Sequence, residues 1–330
     1  MKEIEIRVCL ENKCNFNCTY CQPGGEGSSR DTELLSEKDL LIILRKLVKY
    51  GVSSVRLTGG EPLLRSNFDN IANDISSIPN IEQVSLVTNG SLLNYENVNK
   101  IEASSISNVT VSLDTLNREK FYKIVGKDSL DIVLNGIELL VLRKIPVRIN
   151  SVISKSNIDD LKDLINYCRR NEIKLKVLDL VQNEFNEWNK EFLNLNIVMK
   201  ELEKISSEKN IINHIGNFGT PMTVFKIDPI EVFIKDNTIG TCYSKKCLEC
   251  QKYPCQSGIV SLILTHDGFL KLCTLSNEFN LDLKPLLHNN NDTEKKVNNF
   301  FDNYKSSTFQ NKWYEKYKDS INNLKGDYYE

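Results

Sequence analysis

Cys14-Asn15-Phe16-Asn17-Cys18-Thr19-Tyr20-Cys21 follows shortly on an apolar run at 4–9, and the rest of the chain is read outward from its three thiols. A four-iron four-sulfur cluster normally takes one thiolate per iron, so a compact set of three leaves one iron open to an outside molecule. The competing readings are a zinc site short of one ligand and three unrelated buried thiols. Zinc pairs are usually completed by a second pair or by histidines, and none of the chain's 3 histidines is near this loop. Phe16 and Tyr20 are available to pack or stack beside it.

A second motif, Leu57-Thr58-Gly59-Gly60-Glu61-Pro62, closes a β-branched run that begins at Val52. Glycines there permit close backbone approach to a ligand, and Glu61 offers an acceptor to an ammonium group. Further runs of strand character lie at 83–88, 109–113, 147–153 and 174–181, making six with 4–9 and 53–58. Helical periodicity fills the gaps at 36–50, 131–143 and 158–170. Ser36 with Asp39, and Asn157 with Asp160, supply N-cap chemistry. Such alternation predicts an α/β fold with a parallel sheet, whose ligands sit at the C-terminal ends of the strands. Strand count alone leaves a doubly wound sheet and a partial barrel both open.

With 330 residues the chain can bury a substantial core. Its 42 basic and 44 acidic residues, net charge -2, give no electrostatic case for a nucleic-acid partner. No apolar stretch suits a membrane span or signal peptide, so a cytoplasmic protein is expected. Most of the 10 cysteines fall in two groups, which in a reducing compartment points to thiolate ligation rather than disulfides. Cys9 and Cys168 read as buried free thiols.

Beyond Val181 the pattern changes. Residues 188–207 read as one amphipathic helix, 222–239 as short strands turning at Asp228-Pro229, and 289–292 as a mobile linker before helices at 297–304 and 313–317. The second group, Cys247-x2-Cys250-x4-Cys255 with Cys273 further on, supplies four thiolates, enough to close a second cluster, with Cys242 to spare. A hairpin at 259–272, turned by His266-Asp267-Gly268, returns Cys273 to its partners. Zinc competes with iron and sulfur at this spacing.

The first cysteine loop with Gly59-Gly60-Glu61-Pro62 resembles the radical S-adenosylmethionine (SAM) superfamily. Ile6-Arg7-Val8, Cys14 to Pro23, Val55 to Pro62, Thr88-Asn89-Gly90, Val111-Ser112-Leu113-Asp114 and Val147-Arg148-Ile149-Asn150 are similar to its GTP 3′,8-cyclase (MoaA) family. The resemblance implies a partial (β/α)6 TIM-like barrel over 1–215. A small α+β iron-sulfur extension of SPASM or twitch type follows at 216–288, and a polar linker with a helical tail at 289–330. It implies a SAM-binding 4Fe-4S cluster on Cys14, Cys18 and Cys21, these being catalytic, and a second 4Fe-4S cluster, in preference to zinc, on Cys247, Cys250, Cys255 and Cys273. SAM would be held by Tyr20, Gly59, Gly60, Glu61, Pro62, Asn89, Ser112 and the backbone near Val181. Arg7, Arg56, Thr88 and Arg148 fall where that family contacts its nucleotide, and three arginines at one mouth suit an anion, the alternative being that each pairs with a barrel carboxylate. A flavodoxin- or ferredoxin-type electron donor is also implied.

The C-terminal third departs from the cyclases. The hairpin strand Val260-Ser261-Leu262-Ile263-Leu264 lacks their Arg-x-Arg pair, Cys255 adds a fourth candidate ligand, and the last residues, Gly326 to Glu330, lack their Gly-Gly tail. Two substrate classes follow for a lyase or related oxidoreductase of this kind. One is a nucleotide or other anionic small molecule that cyclises or rearranges. The other is a peptide, as in maturases of ribosomally made natural products, although no recognition extension precedes the first strand. A non-catalytic metal scaffold is the remaining reading.

Overall fold

The computed structural model describes residues 4–21, 32–184, 186–212, 219–277, 279–288, 290–306 and 308–311. The matched residues Gln22 and Pro23, the helix expected at 313–317 and the chain's last residues lie outside these. Strands β1 (Ile4–Glu11), β2 (Val52–Gly59), β3 (Gln83–Thr88), β4 (Ile106–Ser112), β5 (Val147–Ile153) and β6 (Lys174–Asp179) pair side by side in chain order, all parallel. Helices α1 (Glu37–Leu47), α2 (Phe68–Ser76), α3 (Tyr95–Ala103), α4 (Arg118–Val125), α5 (Leu130–Leu142) and α6 (Leu161–Arg170) fill the crossovers. This is the expected α/β class, an open partial barrel.

Parallel strands need both faces covered, which is why these runs are rich in branched apolar residues. Ile6, Val8, Val55, Leu57, Leu86, Val109, Val111 and Leu175 are wholly buried, each contributing about 1.5–3 kcal/mol by leaving water. Helix α1 turns Ile43, Leu44 and Leu47 onto the same core and is capped as predicted, Ser36 Oγ accepting from the Asp39 N–H at 3.1 Å. Asn157 does not cap α6. Its amide donates to the carbonyls of Asp114 and Val152, both at 3.0 Å, so the loop after β4 has taken the group and a 3-10 turn, Ile158–Asp160, precedes the helix.

The later residues diverge more from the sequence pattern. The helix expected over 188–207 is broken into α7 (Trp188–Glu191) and α8 (Asn196–Ile205), because Trp188 and Phe192 stack at 4.5 Å and bury together with Leu180 and Tyr243. Strands β7 (Glu208–Ile212), β8 (Met222–Ile227) and β9 (Ile230–Lys235) extend the sheet beyond β6, to which β9 is parallel. After β10 (Thr241–Ser244), the expected hairpin forms from β11 (Leu262–Leu264) and β12 (Phe269–Lys271), followed by β13 (Leu281–Asp282). It docks on the opposite edge, β11 running parallel to β1 with Arg7 opposite Ile263. Among the described residues twelve strands therefore form one sheet. The linker expected at 289–292 is replaced from Asn291 by α9 (Asn291–Ser306), which buries Val297, Phe301 and Tyr304. Strand β14 (Thr308–Asn311) pairs with β10. Among the described residues no helix is long and apolar enough to cross a membrane.

Candidate active site

The cysteine loop leaves the C-terminal end of β1 and is pinned by its backbone to the end of α4. Asn17 N donates to Val125 O at 3.0 Å and Thr19 N to Ile124 O at 2.9 Å, while Phe16 packs edge-on against Phe121 at 6.1 Å. Cys14 and Cys18 are half-buried and Cys21 is exposed. Cys14 Sγ accepts from Phe16 N at 3.4 Å and from Asn89 Nδ2 at 3.7 Å. A hydrogen bond with Cys21, then burial, raises the Cys18 thiol far above its ordinary value. N–H donors aimed at sulfur favour the thiolate a metal needs. Three thiols lining one cavity are, in number and donor chemistry, the set that an iron-sulfur cluster with one open iron takes.

Gly59 and Gly60 are needed for a reason other than the one their sequence suggests. A Cβ on Gly59 would lie 2.3 Å from Glu11 O, and one on Gly60 2.1 Å from Lys13 O. Space expected for a ligand is taken by the start of the cysteine loop, bound through Gly60 N to Glu11 O and Glu61 N to Lys13 O, both 2.8 Å. Glu61 is fully buried, and Glu61 and Pro62 do not line the cavity. The Glu61 carboxyl accepts from Leu63 N at 3.1 Å, Thr88 Oγ1 at 2.7 Å and Asn89 N at 2.7 Å, tying the end of β2 to that of β3. Burial pushes it up to about 7 against the pull of those donors.

One cavity of about 450 Å³ runs from the cysteine loop across the C-terminal strand ends. Cys14, Cys18, Cys21, Tyr20, Gly59, Gly60, Thr88, Asn89, Ser112 and Val181 line it, as do Arg7 and Arg56, so most of the expected residues are brought together. Tyr20 donates its hydroxyl to Asp114 at 2.7 Å. Burial pushes Asp114, which also accepts from Val152 N at 2.7 Å, up to about 6.

Deeper between the strands, Arg7, Arg56, Arg148 and Lys176 project from β1, β2, β5 and β6. Arg56 pairs with Glu5 at 2.6 Å, so for this arginine the carboxylate-pairing alternative holds. Arg148 donates to Thr110 Oγ1 at 3.1 Å, leaves Nε without a partner among the described residues, and does not line the cavity. Burial, then the charge of Arg56, lowers it to about 10. Burial followed by the charges of Arg148, Arg56 and Arg7 holds the Lys176 ammonium well below the usual lysine range. These groups repel one another with one nearby carboxylate, Glu5, among them, and a bound anion would relieve that repulsion.

The second cysteine group abuts the same cavity, which Ser257, Val260, Thr274 and Leu275 also line. Backbone donors again point at sulfur: Ser244 N to Cys247 at 3.4 Å, Gly258 N to Cys255 at 3.4 Å and Ser276 N to Cys273 at 3.2 Å. Burial pushes Cys247 up to about 11 and raises Cys255 and Cys273, and each of the three thiols also feels Cys250. The four thiols lie within electrostatic reach of one another and have the donor chemistry of a fully ligated cluster, but among the described residues no three such groups, here or at the first loop, are placed to hold a metal ion as they stand. Cys242 is buried in the apolar core, and His266, bonded to Thr32 at 2.7 Å, stays in its hairpin turn.

Lys176, Asp114, Asp179, Lys235 and Gln256 were not singled out from the sequence. Lys176 carried a usable signal, a cation alternating with Leu175 and Val177 in a strand that should be apolar on both faces. Asp179 and Lys235 form an ion pair at 2.8 Å whose halves lie far apart in sequence, so no local pattern announces it.

The sequence profile of the Radical SAM superfamily matches residues 9–195. The chain is 32% identical over 287 residues to the GTP 3′,8-cyclase of Peptoclostridium acidaminophilum, covering 84% of this chain and 82% of that one. Native anSMEcpe with bound AdoMet superposes with a TM-score of 0.58 at 16% identity, over 88% of this chain and 82% of that chain. Streptococcus suis SuiB gives a TM-score of 0.53 at 21% identity over 62% of this chain and 46% of SuiB, so the chain spans less than half of that protein. Both structural likenesses are of fold.

Proposed function

The chain belongs to the radical SAM superfamily of enzymes, and we propose that it uses SAM to abstract hydrogen from a nucleotide or other anionic small molecule, which then cyclises or rearranges. The observation that carries this is the group of Arg7, Arg56 and Lys176 on the cavity that the first cysteine loop also lines, with the charge of Arg148 close to Lys176. When bound on Cys14, Cys18 and Cys21, a reduced 4Fe-4S cluster supplies the electron that cleaves SAM to methionine and a 5′-deoxyadenosyl radical.

The chain's own residues supply placement. The Tyr20 ring, Asn89, Ser112 and the backbone at Val181 surround the space for SAM, and Glu61 acts from behind, fixing the Thr88-Asn89 corner. Arg7, Arg56 and Lys176 anchor the substrate's anionic end, so that the carbon to be attacked is held close to the radical and away from water. Residues 216–288 hold the second cluster, and a flavodoxin- or ferredoxin-type protein delivers electrons.

A peptide substrate is the second reading. It is favoured by the presence of four candidate ligands, Cys247, Cys250, Cys255 and Cys273, because a cluster with every iron ligated can pass electrons but cannot bind a purine.

Anaerobically reconstituted protein, given SAM and dithionite, should release 5′-deoxyadenosine, and GTP should raise that yield and give a cyclised product. Cys14→Ala should abolish cleavage while Cys255→Ala retains it. Cleavage without any response to GTP would move the assignment to a peptide or another small molecule, and no cleavage at all would refute the enzymatic reading.

A further inference from the structure

Residues 180–183 leave the end of β6 as irregular backbone, yet side chains from several elements bind their polar groups. Trp188 Nε1 donates to Leu180 O at 3.0 Å and Asn186 Nδ2 to Val181 O at 2.8 Å. Asn183 Nδ2 reaches the first cysteine loop, donating to Tyr20 O at 3.0 Å. From the other side comes Gln256, the neighbour of Cys255 in the second group. Its Nε2 donates to Leu180 O at 2.9 Å and its Oε1 accepts from Gln182 N at 3.3 Å, so one amide grips both residues that flank Val181.

Gln256 is itself fixed. The amide also donates to Asp179 Oδ2 at 2.5 Å, and Asp179 accepts from Lys235 Nζ at 2.8 Å and Asn237 Nδ2 at 2.5 Å. Gln256, Asp179 and Lys235 are all buried. A buried polar network of this kind, in which among these side chains Asn237 Oδ1 alone lacks a partner among the described residues, holds its members in one arrangement, because a displaced member would leave further groups buried and unpaired. Tyr243 adds a second hold on the same loop, donating its hydroxyl to Cys255 O at 2.5 Å.

We propose that Gln256 is a positioning residue for SAM, through which the loop of the second cysteine group sets the shape of the Val181 backbone and so couples that loop to SAM binding beside the first cysteine loop. The inference rests on SAM occupying the cavity beside Val181. An extended cofactor binds tightly only where the backbone groups that meet it are already placed, and here the placing group comes from the far cysteine loop. Coupling is reciprocal, so SAM must in turn steady residues 254–258.

The test uses the anaerobically reconstituted full chain and SAM itself. Gln256→Leu keeps the volume but removes the gripping amide, and should weaken the SAM dissociation constant about tenfold, the order expected for hydrogen bonds lost from buried partners. In the unaltered protein, SAM should slow backbone hydrogen exchange at 254–258 as well as at 14–21. Unchanged affinity in Gln256→Leu, or protection at 14–21 with none at 254–258, would overturn the coupling while leaving the proposed function standing. Failure of the unaltered protein to bind SAM would remove the parent reading and the coupling together.

Discussion

Glu61 shows how one carboxyl can organise a site whose cavity it does not line. Three donors from β3 and the turn after β2 converge on a fully buried group, and burial pushes it up to about 7. A carboxyl raised in the folded state contributes stability that is complete below its ordinary value and lost as pH rises through the folded one. The cluster-free protein should therefore melt at falling temperatures from about pH 4.5 to about pH 7, with Asp114, pushed up to about 6 by burial, adding to the same slope. Glu61→Gln should flatten that decline, as followed by calorimetry across the window; an undiminished slope would place the titration elsewhere. The cysteines and Gly59-Gly60 were legible because their chemistry or conformation is intrinsic to the residue. The purpose of the glycines was not, since Glu11 and Lys13 approach them only once β1 and β2 pair.

Strands β1 to β6 and helices α1, α5 and α6 follow local periodicity and lie where the runs predicted them, whereas the shorter α2, α3 and α4 were not read from the pattern. The breaks lie where tertiary contacts compete with propensity. Stacking of Trp188 on Phe192 divides a helix that the pattern had made continuous, and capture of Asn157 by the carbonyls of Asp114 and Val152 leaves α6 uncapped by it. The joint between β6 and β9 depends on Asp179 and Lys235, whose side chains are 1% and 9% exposed. Breaking a buried pair from one side leaves a charge without its partner, at a cost of about 3–5 kcal/mol. Lys235→Met should lower unfolding free energy by about that amount in denaturant titration. A loss below about 1 kcal/mol would mean that Asn237 and Gln256 satisfy Asp179 without it.

For the whole molecule, a single sheet carries both cysteine groups, the first at the end of β1 and the second beside the hairpin docked on the same strand. The apolar core reaches from β1 through β9 and on to α9, and of the two groups only Cys14, Cys18 and Cys247 pack against it, each partly buried. Stripping iron with a chelator under anaerobic conditions should therefore leave the far-ultraviolet dichroism nearly intact while lowering the melting temperature and speeding exchange at 14–21 and 247–258. Collapse of the dichroism on chelation would show instead that the clusters hold the sheet together.

Local sequence is enough for the six-strand alternation, the hairpin at 259–272 and the two thiol groups, because side-chain period and thiol spacing are written in neighbouring residues. Tertiary pairing was needed to show that β7 to β9 complete one edge of the sheet and β11 to β13 the other, and that Lys176 joins the arginines. It alone set Gln256 against the residues flanking Val181. Those arrangements depend on which backbone groups and buried charges lie unpaired at distant places in the chain, and no local pattern records them.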